Sequence, residues 1–430
     1  MITLNNKKPV NIYDPAYDKL FENLQGNILK GHGRNFTSHI FLRFEENKKD
    51  KVKKWIVSFA NEITSCKKQI KENLAFKRDR TSGDTFIGFY ISALGYSFLE
   101  NFNSSEKETD FFGSMKDANI SDIKPSDWES GFREDIHAMI LVADDNLMLL
   151  REKEISIRKE MNGKCKIVKI ENGNVIRNED GAGIEHFGYA DGISQPLFFS
   201  DEIQELETKY KDVKINYSSF FPLSQVLVED PFLKNEEAFG SYLVFRKLEQ
   251  DVDGFKAKEE KIASIVGRKT DDEKEEIGAI IVGRFEDGTP HILSHEEGII
   301  DNLSNNFLHK NSSNGKCPFL NHIQATNQRD EASREMIMAR RGIPYGIFPG
   351  EGREVGLLFM SFQSDIKKQF EATQIQANHY KDLIIGQNLP QKMNLDCFGK
   401  KGKEINVENF VKLRGGEYFF APSIPYLKNV

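Results

Sequence analysis

The chain has 430 residues, with Lys+Arg 59 against Asp+Glu 66 and a formal net charge of -7. That length points to two packed units or one large one, and 39% hydrophobic with 11% aromatic residues excludes a disordered chain. A mildly acidic balance with both signs interspersed offers a polyanion no footprint, so nucleic acid is set aside as a partner.

Residues 1–20 contain neither the apolar stretch of a secretory signal nor a twin-arginine pair, so the expected location is cytoplasmic. Residues 1–25 read as an irregular arm leading to the glycine-punctuated Gln25-Gly26-Asn27 and Gly31-His32-Gly33. Ser38–Phe44 alternates Ile40, Leu42 and Phe44 with polar positions, the period of a strand. Trp55, Val57, Phe59 and Ile63 share one helix-length window from Glu45 towards Lys71, with the lysine-rich run Lys48–Lys54 as its solvated face. Strands follow at Phe86–Ile91 and His137–Ala143. Asp144-Asp145 then caps a helix bearing Leu150, Ile157 and Met161, which Gly163 stops. A polar, glycine-rich segment, Glu171–Gly183, separates this half from the next.

The second half has a strand at Ser241–Phe245, a charged helical stretch at 256–276, and strands at Ala279–Phe285 and Val355–Phe362. Ser364 then caps a helix with Ile366, Phe370 and Thr373 on one face. No sequence repeat is detectable, but the order of elements repeats, which predicts two α+β units joined near residues 170–235. The longest apolar runs, Met139–Ala143 and Gly356–Met360, fall far short of the roughly 20 residues of a membrane span.

The four cysteines, Cys66, Cys165, Cys317 and Cys397, show no CxxC spacing and read as small buried apolar residues. There is no phosphate-binding glycine loop. His291 and His295 would share a helix face only if HILSH were helical, and no acidic third ligand stands in a zinc-protease pattern, so this reads as a polar surface segment. The 33 phenylalanines suggest large apolar cores or an apolar pocket.

Two segments carry chemistry. Glu185–Pro196 contains Gly188-Tyr189-Ala190-Asp191-Gly192, in which Asp-Gly alone is an ordinary turn. The second runs from Cys317-Pro318-Phe319-Leu320-Asn321-His322 to Arg340-Arg341-Gly342-Ile343-Pro344-Tyr345-Gly346. Together they supply a carboxylate, an imidazole and a guanidinium, a usable set for haem–peroxide chemistry.

GYADG with ISQP resembles the GxxDG signature of the dye-decolourising peroxidases, a family of haem b enzymes. His322 with RRGIPYG resembles that family's ligand and arginine region. LQGNILKGHGR at 24–34, SDWESGFREDIHAMILVADD at 126–145, VGRFEDGTP at 282–290 and GLLFMSFQSDIKKQF at 356–370 are similar too, so the likeness spans nearly the whole chain.

The resemblance implies two ferredoxin-like units with antiparallel sheets and peripheral helices, 1–190 and 191–430, with haem b held mainly by the second. It implies His322 as axial iron ligand, Asp191 as distal acid–base residue and Arg340 as distal arginine, the latter being first in RRGxPYG. Leu357 and Phe359, two apart on a strand, would line the haem cavity beside Phe187. Gln324 and Gln328-Arg329 stand where relatives often carry Arg two residues after the ligand and a later Pro-Arg. Arg329 would pair with a propionate, while Gln324 removes a charge. The implied reaction is reduction of hydrogen peroxide with one-electron oxidation of small phenolic or dye-like donors. Tyr345 and then Trp128 are the candidates for oxidation at the surface. A haem-handling or haem-storage protein with the same fold is the alternative, and a homo-oligomer is left open.

Overall fold

The computed structural model describes residues 2–430 apart from 101–110, 112, 121, 210–212, 234–236, 299–304, 310–320, 347–353, 380–390 and 396–399. Cys317, Cys397 and the Cys317–Leu320 stretch therefore lie outside the described residues. In the first half the strands are β1 (Phe36–Phe44), β2 (Phe86–Ser92), β3 (Ala138–Asp144) and β4 (Cys165–Asn174). In the second they are β5 (Phe239–Gln250), β6 (Ile343–Tyr345), β7 (Gly356–Gln363) and β8 (Val411–Ala421).

These eight lie in one sheet in the order β6-β7-β5-β8-β2-β3-β1-β4, every neighbouring pair antiparallel. In each half the order is second, third, first, fourth strand, so the ferredoxin-like arrangement occurs twice. The division at residues 190/191 falls in the segment between β4 and β5. The halves join where Phe419 and Phe420 of β8 pair with Ser92 and Ile91 of β2. At the far ends the sheet curls back on itself, and a Cβ built on Gly173 of β4 would lie 2.5 Å from Ile343 of β6.

The helical window at Glu45–Lys71 is two helices. In α1 (Lys49–Phe59), Val52, Trp55, Ile56 and Phe59 turn inward. The chain then breaks, and the Ser65 hydroxyl accepts from the Lys68 amide to start α2 (Cys66–Asp79). The helix α3 (Leu147–Met161) is capped not by Asp144-Asp145 but by Asn146, whose side chain accepts from the Met148 amide. Asp144 instead receives the Asn146 amide, and Asp145 that of Asn35. The polar segment 171–183 is not a mere separator: it begins inside β4 and continues into a small hairpin of Ile176–Arg177 and Gly183–Ile184.

The charged stretch at 256–276 is also split. Gly267, at φ 88°, ends α4 (Val252–Val266), and Thr270 with Glu273 forms a capping box that starts α5 (Asp271–Val282). The expected strand at Ala279–Phe285 is thus wrong. Its β-branched Ile-Ile-Val run continues a helix that buries Ile277 and Ile281, at helical spacing, among Phe255 and Ile262. Asp365, not Ser364, caps the last long helical segment, which opens as a π-helical turn (Ile366–Glu371). Among the described residues no helix is long and apolar enough to cross a membrane.

The main core lies between the halves. Phe41 of β1 meets Phe245 of β5 edge-on at 4.8 Å, with Phe132 also edge-on to Phe41 at 5.2 Å. Phe245 is fully buried and belongs to the same core cluster as residues of both halves. Phe245→Ala is expected to cost about 3–5 kcal/mol, and urea unfolding followed by fluorescence and circular dichroism should show both halves melting in one transition.

Candidate active site

The Glu185–Ser194 segment is folded by its own side chains. The Glu185 carboxylate accepts the amides of Phe187 (2.9 Å) and Tyr189 (3.0 Å), and also the Gln250 side chain. Gly188 and Gly192 sit at φ 106° and 77°, in the left-handed region open to glycine. The Asp191 amide is fixed by the Gly183 carbonyl at 3.0 Å. Its carboxylate accepts the Gly192 amide at 2.6 Å and otherwise faces open space.

That space is a cavity of about 340 Å³, within the range of small-molecule sites. Asp191, His322 and Arg340, distant in sequence, all line it. So do Phe187, Arg329, Leu357 and Phe359. Leu357 and Phe359 are only half-buried while Leu358 and Met360 are buried, since alternate side chains of β7 face the cavity and the core. Phe187 is buried and tilted against Phe255 at 4.5 Å.

His322 begins α6 (His322–Thr326), which Asn321 caps by accepting the Gln324 amide at 2.9 Å. Gly283, the left-handed stop of α5, lets this cap approach: a Cβ there would stand 2.5 Å from the Asn321 amide oxygen. Arg340 and Arg341 point in opposite directions. Arg340 enters the cavity, while the Arg341 guanidinium is buried against the carbonyls of Asn27 (2.8 Å) and Ile28 (2.9 Å). Among the described residues the Arg340 side chain has no hydrogen-bond or ion-pair partner.

Three further arginines line the cavity. Arg329 stacks at 3.9 Å on Phe307, and its terminal nitrogens donate to the Asn305 carbonyl (2.7 Å), the Asn305 side chain (2.6 Å) and Ser194 Oγ (2.9 Å). Arg284 donates to the Gly288 carbonyl (2.8 Å) and also to Ser194 Oγ (3.2 Å). Burial first, and the charges of Arg329 and Arg340 next, push its guanidinium down to about 9. Arg246 of β5 grips both Asp122 oxygens at 2.8 Å. A single arginine ending an apolar strand run was the sequence signal for this residue, because a buried charge demands a partner. Ser194, Arg284 and Glu185 lay inside segments already singled out, yet only the fold shows them converging.

Tyr345 and Trp128 are corrected: at 5% and 4% exposure neither presents a ring to solvent. Lys247 covers the Tyr345 ring at 4.8 Å. The segment His291–His295 is a turn, not a helix, but it does find an acidic partner in Glu276 of α5.

A family model for the C-terminal part of Dyp-type peroxidases matches residues 222–425. The multifunctional dye peroxidase DyP2 of Amycolatopsis sp. is 33% identical over 450 residues, covering 96% of each chain. The crystal structure of the Anabaena sp. DyP-type peroxidase matches with a TM-score of 0.90 at 34% identity over 100% of both chains. A fungal DyP-type peroxidase from Auricularia auricula-judae shares the fold, with a TM-score of 0.78 at 21% identity over 95% of this chain and 98% of that one. The chain belongs to the dye-decolourising, or DyP-type, peroxidases, haem-dependent oxidoreductases with peroxide as acceptor. The cavity suits haem b: apolar walls for a macrocycle, an imidazole for iron, and arginines for carboxylates.

Burial pushes the Glu185 carboxyl up to about 7 from its ordinary 4.5. The folded state thus holds this proton more tightly than the unfolded chain. The resulting stabilisation is fully present below pH 4.5 and is lost as pH rises through about 7. Glu185→Gln is expected to flatten the loss of stability between about pH 5 and about pH 8, by about 3 kcal/mol, in urea titrations at the two pH values.

Proposed function

We propose that His322 would hold the haem iron, with Asp191 as proton carrier and Arg340 as charge stabiliser, in a peroxidase that oxidises small phenolic or dye-like donors. The observation that carries this reading is the meeting of these three residues, from distant parts of the chain, in one apolar-walled cavity. Haem b, when bound, supplies the iron centre at which hydrogen peroxide is reduced. The His322 imidazole would hold it. Hydrogen peroxide must lose a proton from one oxygen and gain it on the other before the O–O bond breaks. Asp191 offers an open carboxylate for that transfer, its orientation set by the Gly192 amide. Arg340, always cationic, stabilises the negative charge that develops on the departing oxygen.

Arg329 and Arg284 hold Ser194 and Asn305 in place while keeping the wall positive, which favours the cofactor's carboxylates. The Gln324 backbone N–H donates to the Asn321 side chain at 2.9 Å, a capping bond that does not depend on the glutamine side chain. With a net charge of -7, the outer surface favours neutral or cationic donors over anionic ones.

Asp191→Asn is expected to retain the Soret band while lowering kcat/KM for hydrogen peroxide by roughly 10²–10⁴-fold, read by stopped-flow absorbance. Arg340→Leu should cost about 10²-fold or more in the same measurement. His322→Ala should lose the Soret band with an unchanged circular dichroism spectrum. An Asp191→Asn enzyme as fast as the parent would overturn the role of Asp191, whereas peroxide-independent release of haem to an acceptor would point to haem storage. For the donor, KM for a cationic dye should rise with salt and that for an anionic dye should fall, as screening weakens the surface field.

A further inference from the structure

We propose that Glu276, His291 and His295 form a binding site for one divalent transition cation of the zinc class, separate from the haem cavity. Their ligand atoms all lie within 4.8 Å of one another. Glu276 projects from α5, and both histidines come from the turn that follows Arg284. Both rings converge on one carboxylate oxygen, Oε1, with His295 Nδ1 at 2.9 Å and His291 Nε2 at 3.5 Å. A tetrahedral ion bound at about 2.0–2.1 Å would place its ligand atoms roughly 3.3 Å apart. The two distances bracket that spacing, so a cation can enter with small side-chain rotations.

The surroundings favour a built site over a chance encounter of surface groups. The Glu276 and His291 side chains are nearly buried, at 9% and 11%, and His295, at 64%, forms the open side. Arg268 Nη2 grips the other carboxylate oxygen at 2.9 Å, which fixes the rotamer and leaves Oε1 to the ion. The His291 amide is tied to the Gly283 carbonyl at 3.1 Å, and the His291 ring lies against Phe285 at 6.1 Å. Two imidazoles and one carboxylate suit zinc, copper, nickel or cobalt and disfavour calcium and magnesium, which prefer all-oxygen sites. Three protein ligands and an open side leave a fourth position for water.

The consequence is mechanical. The ion would clip the turn carrying His291 and His295 to α5, and that turn begins at Arg284, a wall of the cavity. Metal binding would stiffen the cavity from behind without touching its contents.

The test is zinc chloride titrated calorimetrically into the haem-loaded enzyme. One equivalent should bind the parent, and His295→Ala and Glu276→Gln should each weaken binding by at least about tenfold. His295 is exposed, so its variant is expected to fold, with Soret band and peroxidase activity unchanged. Zinc should raise the melting temperature of the parent and not of the variants, since a ligand of the native state stabilises it. Calcium chloride should give neither signal. Equal zinc binding by parent and both variants, or no zinc-dependent shift in melting temperature, would overturn the site and leave a histidine–carboxylate contact only.

Discussion

The strand β8 joins the two halves of the molecule. Along β5 it pairs from Val411 to Ala421, and at its end Phe419 and Phe420 pair with β2. An unpaired amide or carbonyl at that depth would be costly, so this short junction fixes the rotation of one half against the other. The Phe41, Phe132 and Phe245 cluster then fills the space the junction defines. Everything in the cavity depends on that placement, because β5 and β7, whose faces bear Arg246, Leu357 and Phe359, hang from the same sheet.

The second constraint is electrostatic. Among the described residues of this acidic protein, four guanidinium groups line one cavity, and Arg246 is gripped by both oxygens of the Asp122 carboxylate. Arg284 and Arg329 lean on carbonyl and hydroxyl oxygens, and Ser194 serves both while donating to Asn305 at 2.6 Å. A serine hydroxyl has one proton and two lone pairs, so this residue is saturated. Burial first, and the crowding of positive charge from Arg329 and Arg340 second, depress the Arg284 guanidinium. A ligand carrying carboxylates relieves that crowding, so the cofactor and the wall stabilise one another.

Much of this was legible in the sequence where chemistry is local. The alternation in Ser38–Phe44 and the apolar run within Val355–Phe362 marked real strands, and the two-residue spacing placed Leu357 and Phe359 on one face. Of the two adjacent arginines, Arg340 is among the residues that line the cavity and Arg341 is not. What was not legible depended on partners far along the chain. Ala279–Val282 has the composition of a strand, but the capping box at Thr270 and burial against α4 make it helical. Tyr345 and Trp128, the candidates for oxidation at the surface, are both buried, which their local sequence does not reveal. His291 and His295 found their acidic neighbour on a different element, which spacing along one segment cannot reveal.

The curl that brings Gly173 of β4 against Ile343 of β6 has a consequence for how copies of the chain meet. A free sheet edge is a template on which another chain can add a strand, a route to uncontrolled aggregation. Here the outermost strands of the long sheet face one another. Backbone-to-backbone growth along that seam is therefore sterically closed, and any contact between copies there would have to be made through side chains.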